Sequence, residues 1–197
     1  MSEITHDGGP DKSDGAPSDG DLPERIDYDA LQAEIRRWAI EKGWLDPEAE
    51  PRPIGELLML VVTEVAESVE AYRAGNPPCD RAGMEHLTHM AEELADVIIR
   101  LVQMADEHGI EISMPLHYTK TLPRSVLRLH WGIVSGAMWL SRTVSDNMDA
   151  RRRREALAAL LITVEDTATQ CGIDLAEAVR LKMAFNWTRE HKHGKTC

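Results

Sequence analysis

Apolar residues recur at helical spacing along most of this chain. Leu31, Ile35, Trp38 and Ala39 lie at i, i+4, i+7 and i+8, one face of a helix that Asp27 or Asp29 can cap and that ends near Gly43. A Pro-rich stretch (Pro47, Pro51, Pro53) leads into a second amphipathic run over about 54–74, stopped by Gly75-Asn76-Pro77-Pro78. The pattern predicts a third helix over about 83–108, closed by Gly109, and, after Pro115 and Pro123, a fourth over about 125–144. A fifth follows over about 149–171 and stops at Gly172; a sixth starts at Asp174 and runs to about 190. Alternating β-branched segments and hairpin dipeptides are missing. The predicted fold is an all-α bundle of about six helices.

Composition sharpens this picture at the N-terminus. Residues 1–24 carry seven acids, one Lys, four Gly and three Pro, a net −6 with almost nothing to bury. They read as a disordered acidic tail, leaving 25–197 as one domain. The whole chain of 197 residues has net charge −12, and its one basic run, Arg151 to Arg154, opens the fifth helix. Nucleic acid is therefore not an expected partner. No segment approaches the ~20 apolar residues of a membrane span. Cys79, Cys171 and Cys197 form no C-x-x-C pair, which fits a reducing compartment. The expected location is cytoplasmic.

The chemistry sits on the second and third helices. Glu64-x-x-Glu67 and Glu93-x-x-Asp96 each place two carboxylates one turn apart on one face. These acids continue the apolar stripe: Leu57, Leu60 and Val61 precede Glu64, while Met90 and Val97 bracket Glu93. Carboxylates gathered where helices meet must protonate or be neutralised, and all-oxygen ligands suit Mg²⁺ or Mn²⁺. The plainer alternative makes Glu64 and Glu67 rim residues and pairs Asp96 with Arg100 at i+4. Glu92 points about 100° away from Glu93 and reads either as a residue that supports the ligating acids from behind or as surface. Glu70 reads as solvated.

On the sixth helix Lys182, Asn186 and Arg189 fall at i, i+4 and i+7. Two cations and an amide on one stripe suit a phosphate chain. A solvated face with cations near the helix C-terminus is the alternative. Trp44, beside Gly43 at a helix end, is the better placed tryptophan for stacking on a base, with Trp38 divided between base and core. Trp131 and Trp139 read as core or interface, Arg151 to Arg154 as a solvated or subunit-facing run, and His86 and His89 as surface.

The stretches GELLMLVVTEVAESVEAYRAGN, EELADVIIRLVQMADEHGIEI and GIDLAEAVRLKMAFNWTREHKHGK resemble segments of the MazG-like all-α nucleoside triphosphate pyrophosphohydrolases, relatives of the dimeric dUTPases and dCTP pyrophosphatases. The resemblance implies that Glu64, Glu67, Glu93 and Asp96 bind Mg²⁺, and that Lys182 and Asn186 face the triphosphate with Arg189 and Lys195. It implies hydrolysis of a (deoxy)nucleoside triphosphate to the monophosphate and pyrophosphate, with Glu64 or Glu67 as the base.

The chain departs from the simple family pattern in its middle. Gly172-Ile173-Asp174-Leu175 repeats the turn at Gly109-Ile110-Glu111-Ile112 after 63 positions, and that shift aligns Leu94 with Leu157, Ala95 with Ala158 and Ala105 with Ala168. Ala156 and Ala159 then stand where Glu93 and Asp96 do, and Ser135 and Met138 fall near the places of Glu64 and Glu67. An internal duplication with one acid-lined half and one acid-free half is expected. A homodimer would be additional to that bundle.

Two other classes compete. A di-iron carboxylate bundle needs E-x-x-H on two helices, and the matches, Glu3-His6 and Glu190-His193, lie at the chain's extremes. A non-catalytic helical module binding metal or nucleotide is the main alternative, and no EF-hand loop accompanies it.

Overall fold

A computed structural model describes residues 25–114 and 123–191. The acidic tail expected over 1–24, Lys195 and Cys197 lie outside the described residues. Six α-helices make up the fold: α1 Tyr28–Glu41, α2 Ile54–Arg73, α3 His89–Glu107, α4 Val126–Ser145, α5 Ala150–Gln170 and α6 Leu175–Thr188. An isolated bridge between Pro78 and Thr88 is the one β-type pairing among the described residues. No helix there is long and apolar enough to cross a membrane.

Side-chain caps set four of the N-termini. Asp27, not Asp29, caps α1 by accepting from the Ala30 amide at 3.0 Å, and Asp149 and Asp174 do the same for α5 and α6 at 2.9 and 3.0 Å. α3 starts six residues later than its predicted start at Gly83, at His89, behind the N-cap Thr88, whose hydroxyl accepts from the Ala91 amide. The displaced stretch folds back on itself: Cys79 N–H donates to the Leu87 carbonyl at 2.8 Å and His89 N–H to Pro77 at 3.0 Å. Those backbone groups are thereby satisfied without a helix.

α3 is the axis of the bundle. It packs against α1, α2, α5 and α6, and most of its residues from Met90 to Ala105 are buried. α4 and α5 form a hairpin that lies on the α2–α3 pair, α4 on α2 and α5 on α3. This pairing is unchanged when α2 is exchanged with α4 and α3 with α5, as a duplicated helix pair requires. The turns after α3 and α5 close alike: Ile110 N–H returns to the Ala105 carbonyl and Ile173 N–H to Ala168, both at 2.9 Å. Both turns use a left-handed glycine, Gly109 and Gly172.

Small residues and one polar pair fix the second hairpin. A side chain at Gly136 would come within 2.9 Å of Leu160, and one at Gly132 within 3.2 Å of Thr163, so α4 lies closer to α5 than any larger residue permits. Across the α2–α4 seam the buried His130 ring receives the Ser68 hydroxyl at 2.8 Å and donates through Nδ1 to the Val126 carbonyl at 2.8 Å. Burial lowers the His130 pKa, which keeps the ring neutral and able to accept that hydroxyl.

Trp131 and Trp139 are no part of this core. They are 64% and 47% exposed on α4, because the glycines and Ile133 take the inward positions. Trp38 is buried, and its indole N–H donates to the Asn186 carbonyl at 3.2 Å. Arg151 and Arg152 are exposed as expected of a solvated run, while Arg154 pairs with Glu111 at 2.5 Å. Glu70 and His86 are exposed, and His89 is half-buried.

Candidate functional site

The α2–α3 seam brings carboxylates together. Glu64, Glu67 and Glu93 each offer an oxygen, all within 4.8 Å of one another. Glu64 and Glu93 are buried and Glu67 is exposed, so the cluster opens to solvent on the Glu67 side. The apolar stripe that puts Val61 and Val65 into the core carries Glu64 in with it.

Three like charges this close in a desolvated seam raise the cost of ionisation. Glu93 is pushed up to about 8, first by burial and then by the Asp96 carboxylate, with Glu92 and Glu64 adding and Lys182 opposing. Asp96 is raised as well, chiefly by burial and in part by Glu64, against the pull of Lys182 and Arg100. The ligand atoms the cluster offers are all carboxylate oxygens. That donor set fits a hard divalent cation.

The fourth acid is tied elsewhere. Asp96 Oδ2 lies 2.7 Å from Lys182 Nζ, on the flank of the cluster. Arg100, which the i+4 spacing offers to Asp96, donates instead across the seam to Glu64 Oε1 at 2.5 Å. Lys182 itself is 2% exposed, its ammonium held between Asp96 and Glu92 Oε1, the latter at 2.5 Å. Lys182, expected on the substrate-facing stripe with Asn186 and Arg189, is thus the centre of a buried ionic network.

Of the two readings for Glu92, support behind the acids or surface, the structure shows the first: it is buried and reaches Asp96 through Lys182. It does turn away from Glu93, yet what lies there is α6 and the 79–88 connector, and the side chain is fully buried. It accepts from Lys182, Arg81 and the Cys79 thiol, the last at 3.1 Å. Burial alone would raise its pKa, but the Lys182 charge and these donors bring it down to about 2. Burial in turn pushes the Cys79 thiol up to about 11, so it acts as a donor and not as a nucleophile. The available signal was α3 itself: a segment apolar on nearly every side has no solvent face on which to leave an acid. His89, Glu92 and Glu93 form a second possible ligand group, but Glu92 is already bound to two cations.

Beside the acids lies a pocket of about 210 Å³ whose lining includes Trp44, Asp96, Arg100, Asn186 and Arg189. Three residues assigned to substrate from sequence, Trp44, Asn186 and Arg189, thus meet at one place, and Trp38 joins them. Asn186 is 3% exposed and its Oδ1 has no hydrogen-bond partner. Arg189 stands over the Phe185 ring at 5.9 Å, with no carboxylate partner among the described residues. Its pKa is lowered by burial first and then by Arg81, with the Asp96 and Glu92 carboxylates opposing and Arg100 adding a little. This rim attracts an anion. Of the di-iron alternative, Glu190 is exposed and His193 is outside the described residues.

The chain matches no family model, no curated protein and no solved structure.

Proposed function

We propose that this protein is a metal-dependent nucleoside triphosphate pyrophosphohydrolase that clears a (deoxy)nucleoside triphosphate from the cytoplasmic pool, releasing the monophosphate and pyrophosphate. The observation that carries the reading is the adjacency of an all-carboxylate cluster, Glu64, Glu67 and Glu93, to a pocket that pairs a tryptophan with Arg189, an arginine in no direct ion pair among the described residues. A nucleotide offers the complementary set: a flat base, a polyanion and a need for divalent charge.

Glu64, Glu67 and Glu93 would hold Mg²⁺ or Mn²⁺, with Asp96 close by on Lys182. Such an ion supplies charge neutralisation for the phosphates and eases deprotonation of water. The chain's own groups do the rest. Glu67 is exposed and joins no ion pair among the described residues, whereas Glu64 is engaged by Arg100. Glu67 is thus the freer base to take the proton of the attacking water. The water oxygen bonds to phosphorus as the α–β anhydride bond breaks, and pyrophosphate leaves with that bond's electron pair. Arg189 faces the developing negative charge, and Trp44 provides a surface for the base. The Glu92–Lys182–Asp96 network keeps α3 and α6 in register so that both halves of the site face each other.

The test is a screen of the eight common nucleotides with Mg²⁺, followed by single Ala replacements of Glu64, Glu67, Glu93 and Asp96. Loss of turnover and of calorimetric Mg²⁺ binding in the first three supports the reading. Full turnover in any of those three would remove the cluster from the chemistry.

A further inference from the structure

We infer that the outward face of α4 is the contact surface for a second copy of this chain, the two α4 helices lying antiparallel across a two-fold axis at Ser135. This proposal is independent of the nucleotide reading. Leu127, Trp131, Met138 and Trp139 are 54%, 64%, 64% and 47% exposed on this one helix. With the area of large aromatic side chains in mind, they offer about 500 Å² of apolar surface. That is the apolar share expected within the ~800 Å² per partner of a specific interface.

The pattern is self-complementary. Ser135, a small residue, lies midway between Trp131 and Trp139, and on a 3.6-residue helix the two tryptophans fall about 40° to either side of it. A two-fold axis at Ser135 brings Trp131 of each copy level with Trp139 of the other. The same rotation sets the exposed Arg124 of one copy level with Asp146 of its mate, opposite charges on both sides of the axis. Arg128 comes level with Arg142, a like-charge approach that the Arg142–Asp146 pair at 3.1 Å offsets only in part. α4 carries Arg128 and Arg142 and no acid, so this face lacks the negative charge that dominates a chain of net charge −12.

Sedimentation velocity of the full chain over a range of concentrations tests this. The wild type is expected to be a dimer, and Trp131→Glu and Met138→Glu, both at solvent-facing positions, are each expected to be monomeric with unchanged circular dichroism. In a Cys171→Ser, Cys197→Ser background, Ser135→Cys should form a covalent dimer under mild oxidation. A dimer indifferent to both Glu variants overturns the proposal. So does a monomeric wild type, including one that floats with anionic phospholipid vesicles, since the tryptophans and arginines would then serve a lipid surface.

Discussion

Replacing Glu93 by Gln isolates the electrostatic cost of the acidic seam. In metal-free protein Glu93 titrates near 8 against an ordinary value of 4.5, with burial first and Asp96 second among the causes. The folded state therefore holds its proton after the unfolded chain has lost it. Stability is fully present below pH 4.5, falls as pH rises, and levels off once pH has passed the folded value near 8. At 1.36 kcal/mol per unit, the penalty at pH 9 is on the order of 3–5 kcal/mol. Glutamine keeps the shape and never ionises. In EDTA at pH 9, Glu93→Gln is thus expected to melt roughly 6–15 °C above wild type, and at pH 5 within about 2 °C of it. Thermal melts followed by circular dichroism from pH 5 to 9 measure this. An equal difference at both ends of the range, or a less stable variant at pH 9, would refute the reasoning.

Two further substitutions probe neighbouring groups. Lys182→Met leaves Glu92 and Asp96 without the ammonium between them, a loss of about 3–5 kcal/mol by the usual cost of breaking a buried pair; a denaturant midpoint equal to wild type would show that the network is not structural. Arg189→Ala removes a half-buried cation with no carboxylate partner, so the fold should hold while KM for the triphosphate rises about 10- to 100-fold, or about 1.4–2.8 kcal/mol; unchanged steady-state kinetics would take Arg189 out of the site.

The helices were legible because periodicity and stop signals agreed. Leu31, Ile35 and Trp38 face inward as their spacing requires, and the glycines at 43, 75, 109 and 172 all take left-handed conformations at helix ends. The early start expected for α3 failed because 75–88 satisfies its backbone through long-range pairing with Pro77 and Leu87 as acceptors, which periodicity does not encode. The acidic cluster was visible from its place on apolar stripes. Partner choice was not: Arg100 bonds Glu64 on another helix instead of Asp96 on its own, and Lys182, read as facing a triphosphate, has its ammonium between Glu92 and Asp96 once α6 is laid against α3. Glu92 was left between support and surface for the same reason, since a helical wheel gives a direction and leaves open what occupies it. Trp131 and Trp139 were assigned to core or interface, and which of the two depends on Gly132 and Gly136 drawing α5 onto the other side of α4.

The central claim is the cleavage itself, and ³¹P NMR of product mixtures reads it directly. Incubated with excess Mg²⁺ and a preferred (deoxy)nucleoside triphosphate, the wild type should yield equal amounts of monophosphate and inorganic pyrophosphate, with Glu67→Gln at least about 100-fold slower, or about 2.7 kcal/mol. Intact triphosphate across all eight nucleotides, or diphosphate with orthophosphate as products, would contradict the account.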